Sequence, residues 1–113
     1  MSRDDAIVLD MLTAAQRAVA FAAGLTSDAF DADLKTQSAV LHQLLILGEA
    51  VKRLSDGFRE AHPEAPWRAV AGMRDRIIHG YDEVDLGEVW RTIARDLPTL
   101  ISVLERLVPA RPE

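Results

Sequence analysis

The apolar residues of this 113-residue chain recur at intervals of three and four, and in no segment do they alternate with polar ones, so the chain is restricted to helices. Ser2 can cap a first helix whose third residue is Asp5. Ile7, Val8, Met11, Leu12, Ala15, Ala18, Val19 and Ala22 then form one stripe, and Gly24 supplies a stop. After a polar stretch at Thr26, Ser27 and Asp28, a second helix is expected over roughly residues 31–55, with Leu34, Val40, Leu41, Leu44, Leu45, Gly48, Val51 and Leu54 on its apolar side. Gly57 is expected to close it, leaving residues 58–65 as a loop. Pro66 suits the first turn of a third helix, which buries Trp67, Val70, Met73, Ile77 and Ile78 and should end at Gly80. Asp85 and Glu88 read as the capping box of a fourth, with Val84 as a staple against Val89. Pro98 falls inside that helix's apolar line, so a kink is expected there, with the Ala94 carbonyl losing its partner. Residues 109–113 are expected to fray. Four helices joined by short connections predict an all-α fold, an up-down four-helix bundle, in a single domain.

Composition narrows the function classes. With 49% hydrophobic and 27% charged residues the chain has the profile of one soluble globular domain, and the absence of Cys excludes disulfides, thiolate zinc sites and a cysteine nucleophile, pointing to a reducing, cytoplasmic setting. No apolar run approaches the ~18 residues of a membrane span, and Arg3, Asp4 and Asp5 do not begin a signal peptide. A net charge of -5 argues against a nucleic-acid coat held by bulk electrostatics, so any nucleic acid must be handled at a local site. The phosphate loop, the dinucleotide fingerprint, HExxH, GxSxG and any Glu-x-x-His pair are missing. His42, His62 and His79 are not spaced to share a helix face, so neither a metal site nor a cofactor is expected.

What remains is a dense polar string over residues 73–81, Met-Arg-Asp-Arg-Ile-Ile-His-Gly-Tyr. At about 100° per residue Asp75 and His79 share a helix face, whereas Arg74 and His79 lie about 140° apart. If Gly80 ends the helix, His79 sits in its last turn and Asp75 can orient the ring. An arginine, an oriented histidine and a nearby phenol form a set suited to phosphate chemistry. The same residues also read as a solvated helix face with a histidine near the C-cap. Glu49, in an otherwise apolar stretch, needs a partner that an arginine of the third helix could supply, as a structural ion pair.

The strings Leu47-Gly48-Glu49-Ala50, Pro66-Trp67, Gly72-Met73-Arg74-Asp75, His79-Gly80-Tyr81 and Val89-Trp90, in this order and spacing, resemble the HepT-like toxins of the HEPN superfamily over about residues 3–107. The superfamily motif is an Arg followed after four to six residues by a His, extended in HepT-like members to Arg-x4-His-x-Tyr. Arg74, Asp75, His79 and Tyr81 match it. The resemblance implies a helical homodimer whose two motifs face one cleft and form a metal-independent endoribonuclease. In it Arg74 and His79 are catalytic, Asp75 and Glu49 support them, and the RNA's own 2′-hydroxyl is the nucleophile. It also implies a cognate minimal nucleotidyltransferase antitoxin, MntA-like, that transfers AMP to Tyr81 and silences the toxin. Two other readings are a non-catalytic HEPN adaptor subunit for such a nucleotidyltransferase, and a structural dimeric bundle without a ligand.

Overall fold

The computed structural model describes residues 2–108; the tail expected to fray lies outside them, as does the side chain of Tyr81. All regular structure among the described residues is helical, with no strand. Helix α1 spans Arg3–Ala22, α2 Ser27–Asp31, α3 Leu34–Arg53, α4 Asp56–Ala61, α5 Trp67–His79, α6 Leu86–Arg91 and α7 Leu97–Leu107. A 3₁₀ turn covers Tyr81–Glu83, and a π-helical turn, Thr92–Asp96, joins α6 to α7. No helix among them is long and apolar enough to cross a membrane.

Helix α1 starts where the sequence indicates: Ser2 Oγ accepts from the Asp5 N–H, and Asp5 accepts in return from the Ser2 N–H. Just beyond its end Gly24 takes φ +80°, the left-handed conformation that a side chain resists. The long second helix instead begins at Leu34, capped by Asp33, and α2 precedes it as a separate turn capped by Thr26. That turn carries Phe30 into the core, fully buried and 5.5 Å from the Trp90 ring. Burial of a phenylalanine side chain contributes roughly 1.5–3 kcal/mol, which explains how five residues remain helical.

The region expected to be a loop is also partly helical. Gly57 does not close α3; it lies inside α4, whose cap is Ser55. Ser55 is held on both sides, its Oγ accepting from Phe58 N–H at 3.1 Å while its own N–H and hydroxyl donate to Asp4 at 3.0 and 2.8 Å. Asp4 thereby ties the start of α1 to the start of α4.

Helix α1 packs on both α3 and α7, and α5 packs on α3 and on the π turn. Their shared core contains Met11, Ala15 and Ala18 of α1, Leu44, Leu47 and Val51 of α3, Met73 and Ile77 of α5, and Leu97, Leu100 and Leu104 of α7. The break expected at Pro98 takes the form of the preceding π turn, in which the Leu97 N–H reaches the Thr92 carbonyl five residues back.

Candidate active site

Helices α3 and α5 meet at Gly48 so closely that a Cβ built there would stand 2.1 Å from Arg74 Cβ and 2.8 Å from its Cγ. Only glycine fits this crossing. The approach lays the stem of Arg74 across α3, where its guanidinium meets the next residue, Glu49, through Nη2 and Oε1. The other terminal nitrogen, Nη1, donates to Asp75 Oδ1 at 3.0 Å. That same oxygen receives Lys52 Nζ at 2.5 Å. Glu49, Arg74, Asp75 and Lys52 thus form one chain of alternating charge, two of each sign, along the outer edge of the crossing.

The electrostatics follow from these contacts. The hydrogen bond to Asp75, aided by Glu49, raises the Arg74 pKa above its ordinary value against the opposing effect of burial. Lys52, followed by Arg74, lowers that of Asp75. Arg74 is therefore a fixed cation with one-fifth of its side chain exposed. Each terminal nitrogen retains a second N–H beyond the one bonded to a carboxylate.

His79 is the last residue of α5, and its side chain is exposed. It borders a groove of about 400 Å³ together with Met73, Arg76, Gly80, Glu83 and Glu88. Arg76 Nε and Glu88 Oε2, 3.0 Å apart, bridge α5 to α6 there. This pairing corrects the expected capping box: Asp85 caps α6 through the N–H groups of Gly87 and Glu88, but the Glu88 carboxylate turns to Arg76.

Asp75 is engaged on the side of the crossing. It shares the helix face of His79, yet its Oδ1 is taken by Lys52 and Arg74, and no hydrogen bond joins it to the histidine. Arg74 and His79 stand on the same uninterrupted helix, which keeps them about 140° apart around its axis. Tyr81 follows Gly80 in the 3₁₀ turn; its role falls on a side chain outside those described. Of the other histidines, His42 is exposed on α3, while His62 caps α4 and accepts the Trp67 indole N–H on its carbonyl at 2.8 Å. Among the described residues no group of three or more His, Cys, Asp or Glu is placed to hold a metal ion. Lys52 was missed in the sequence, although its position three residues after Glu49 puts it near the same helix edge.

Comparison with known proteins gives a family match, HepT-like (Ribonuclease HepT-like), over residues 11–107. The chain is 46% identical over 78 residues to "Probable ribonuclease HepT" of Thermococcus cleftensis, covering 69% of this chain and 71% of that one. It is 33% identical over 103 residues to "Putative RNase MJ0127" of Methanocaldococcus jannaschii, covering 91% and 85%. No solved structure matches.

Proposed function

The chain belongs to the HepT-like ribonuclease family, and from that premise we propose that it is an endoribonuclease toxin acting as a homodimer of HEPN-like four-helix bundles in a single domain. The observation that carries this reading is the fixed Arg74 cation at the Gly48 crossing, on the same helix that ends at an exposed His79. On one helix the two groups diverge in angle. A two-fold axis beside α5 lets the motif of one subunit complete that of the other.

In this mechanism His79 of one subunit takes the proton from the RNA 2′-hydroxyl, and the 2′-oxygen attacks the adjacent phosphorus. The P–O5′ bond breaks, a 2′,3′-cyclic phosphate forms, and His79 of the partner subunit returns a proton to the departing 5′-oxygen. The N–H groups of Arg74 not held by carboxylates stabilise the charge that develops on the phosphoryl oxygens. Glu49 and Asp75 hold the guanidinium in place. No step calls on a metal ion or a cofactor. A cognate nucleotidyltransferase silences the toxin by transferring AMP from ATP to the Tyr81 hydroxyl, which loses its proton as pyrophosphate departs, placing a bulky anion two residues from His79.

The test is cleavage of RNA by the purified chain in the presence of a chelator, with His79→Ala as the control. Metal-free cleavage lost in His79→Ala supports the reading; dependence on a divalent metal, or survival of cleavage in the variant, contradicts it. The double engagement of Arg74 by carboxylates favours one second reading, in which the residue is structural and the chain is a non-catalytic adaptor subunit for the nucleotidyltransferase. An unmodified chain that cleaves no RNA but binds that enzyme would establish the adaptor.

A further inference from the structure

A second groove, of about 220 Å³, runs between α1 and α3 and is lined by Arg17, Arg53, Gln43, Asp10, Thr13 and Ile46 among its residues. Its charge differs from that of two other grooves. The groove at His79 sets Arg76 against Glu83, Asp85 and Glu88, and the one between α4 and α5 sets Arg59 and Arg68 against Asp56 and Glu60. Here Arg17 and Arg53 face only Asp10, in a chain whose net charge is -5. Among the described residues neither arginine forms an ion pair.

The floor carries a second signal. Gln43 is 7% exposed, and its Oε1 is buried without a hydrogen-bond partner. Its Nε2 donates no hydrogen bond within the described residues, so the amide offers its N–H side to the groove. Two guanidinium groups and an amide donor suit an anion with several acceptor oxygens. The groove also adjoins the site above: Arg53 is one helical turn after Glu49, about 6 Å along the axis, and Glu49 holds Arg74.

We propose that Arg17, Arg53 and Gln43 form a subsite for a backbone phosphate of the RNA, neighbouring the phosphate engaged by Arg74. The inference rests on the ribonuclease reading and adds to it a track for the strand across α3. Phosphate contacts position a strand without reading its bases, so the subsite contributes affinity and register but no sequence preference.

The experiment measures binding of an RNA of about 16 nucleotides to the His79→Ala chain, which holds the substrate uncut. Arg17→Gln and Arg53→Gln, each made in that background, should weaken binding roughly five- to tenfold and lower the slope of log affinity against log salt by about one each. Arg95→Gln, which removes one exposed charge elsewhere, should leave both unchanged. Gln43→Leu should weaken binding while raising the thermal midpoint of the unliganded chain, because it removes a buried acceptor that has no donor. Equal behaviour of the Arg17, Arg53 and Arg95 variants would overturn the subsite, as would failure of the parent to bind RNA. AMP binding that depends on both arginines while RNA binding does not would make the groove a nucleotide site and overturn it too. Cleavage by the unmodified chain is scored separately, so loss of the subsite and loss of the ribonuclease reading give different results.

Discussion

Arg74 Cβ rests against the bare Cα of Gly48, and the guanidinium at the far end of the same side chain pairs with Glu49, the residue that follows. One residue of α5 therefore uses two consecutive residues of α3, the first for its stem and the second for its charge. Gly48→Ala should show how much depends on this. A new methyl would overlap Arg74 Cβ, which cannot move without its helix, and overpacking of this kind costs about 1–3 kcal/mol. That outweighs the gain of about 1 kcal/mol in helix propensity from glycine to alanine. The urea midpoint should fall and cleavage should fall with it; a more stable variant would show that the helices are free to part.

His79→Ala separates chemistry from folding. The side chain is exposed at the end of α5, so the thermal midpoint should stay within a degree or two of the parent. RNA cleavage should drop by at least roughly two to four orders of magnitude, the usual contribution of one general acid or base, because the substitution removes both from the dimer. A large loss of stability would instead assign the residue to the helix end.

For Arg74→Ala the fall in cleavage should be on the order of a hundredfold, as for removal of one preorganised donor to a transition-state anion. Glu49→Gln keeps the shape but lets the guanidinium move, and should reduce the turnover number more than it raises KM. An unchanged turnover number in Glu49→Gln would mean that Arg74 is positioned by Asp75 alone.

The acid limb of stability can be read from three aspartates. Asp4 is held below the ordinary carboxylate value mainly by the Ser55 N–H, Asp33 by the Thr36 N–H, and Asp75 by Lys52. Each binds its proton less readily folded than unfolded. The stability they add is therefore complete above about pH 5, where the unfolded carboxylate is almost fully ionised, and is lost as the pH falls through their lower folded values. Urea midpoints should decline below about pH 5, and Asp4→Asn should make that decline shallower; an identical slope would show that the tie to Ser55 adds nothing.

Tyr81→Phe tests the proposed control. A phenol is poorly matched to proton transfer at neutral pH, so the variant should still cleave RNA. With the nucleotidyltransferase and ATP, intact-mass spectrometry should detect adenylate on the unmodified chain only. An adenylated Tyr81→Phe would place the modification elsewhere, and a variant inactive as a nuclease would give Tyr81 a part in the chemistry and overturn its purely regulatory role.

Much of the architecture was legible because apolar periodicity and caps act over a few residues. The Ser2 cap, the Gly80 end of α5 and the Asp85 cap of α6 are local facts. The two short helices were missed for opposite reasons. In α2, Thr26 and Asp28 read equally well as linker, and only the pocket for Phe30 decides. In α4, Gly57 reads as a stop, but Ser55 caps a new turn and is fastened to Asp4, 51 residues earlier. At the site, a partner for Glu49 on the third helix could be anticipated, while the partner of Asp75 could not. Intrahelical spacing pointed Asp75 to His79, and the crossing at Gly48 brought Lys52 from another helix instead.

The π turn at Thr92–Asp96 bears on how the last helical stretch counts its residues. Val89, Ile93 and Leu97 are all buried, yet two successive steps of four overshoot an α-helical turn by about 40° each. The wider turn absorbs that excess, so Leu100 and Leu104 arrive on the core side. The phase of α7 is thus set by how many residues lie between Val89 and Leu97, and by none of them individually. Removing the exposed Ala94 would convert the bulge to a regular turn and keep both ends in register. The same deletion in the middle of α3 would swing one half of that helix through about 100° and break the core.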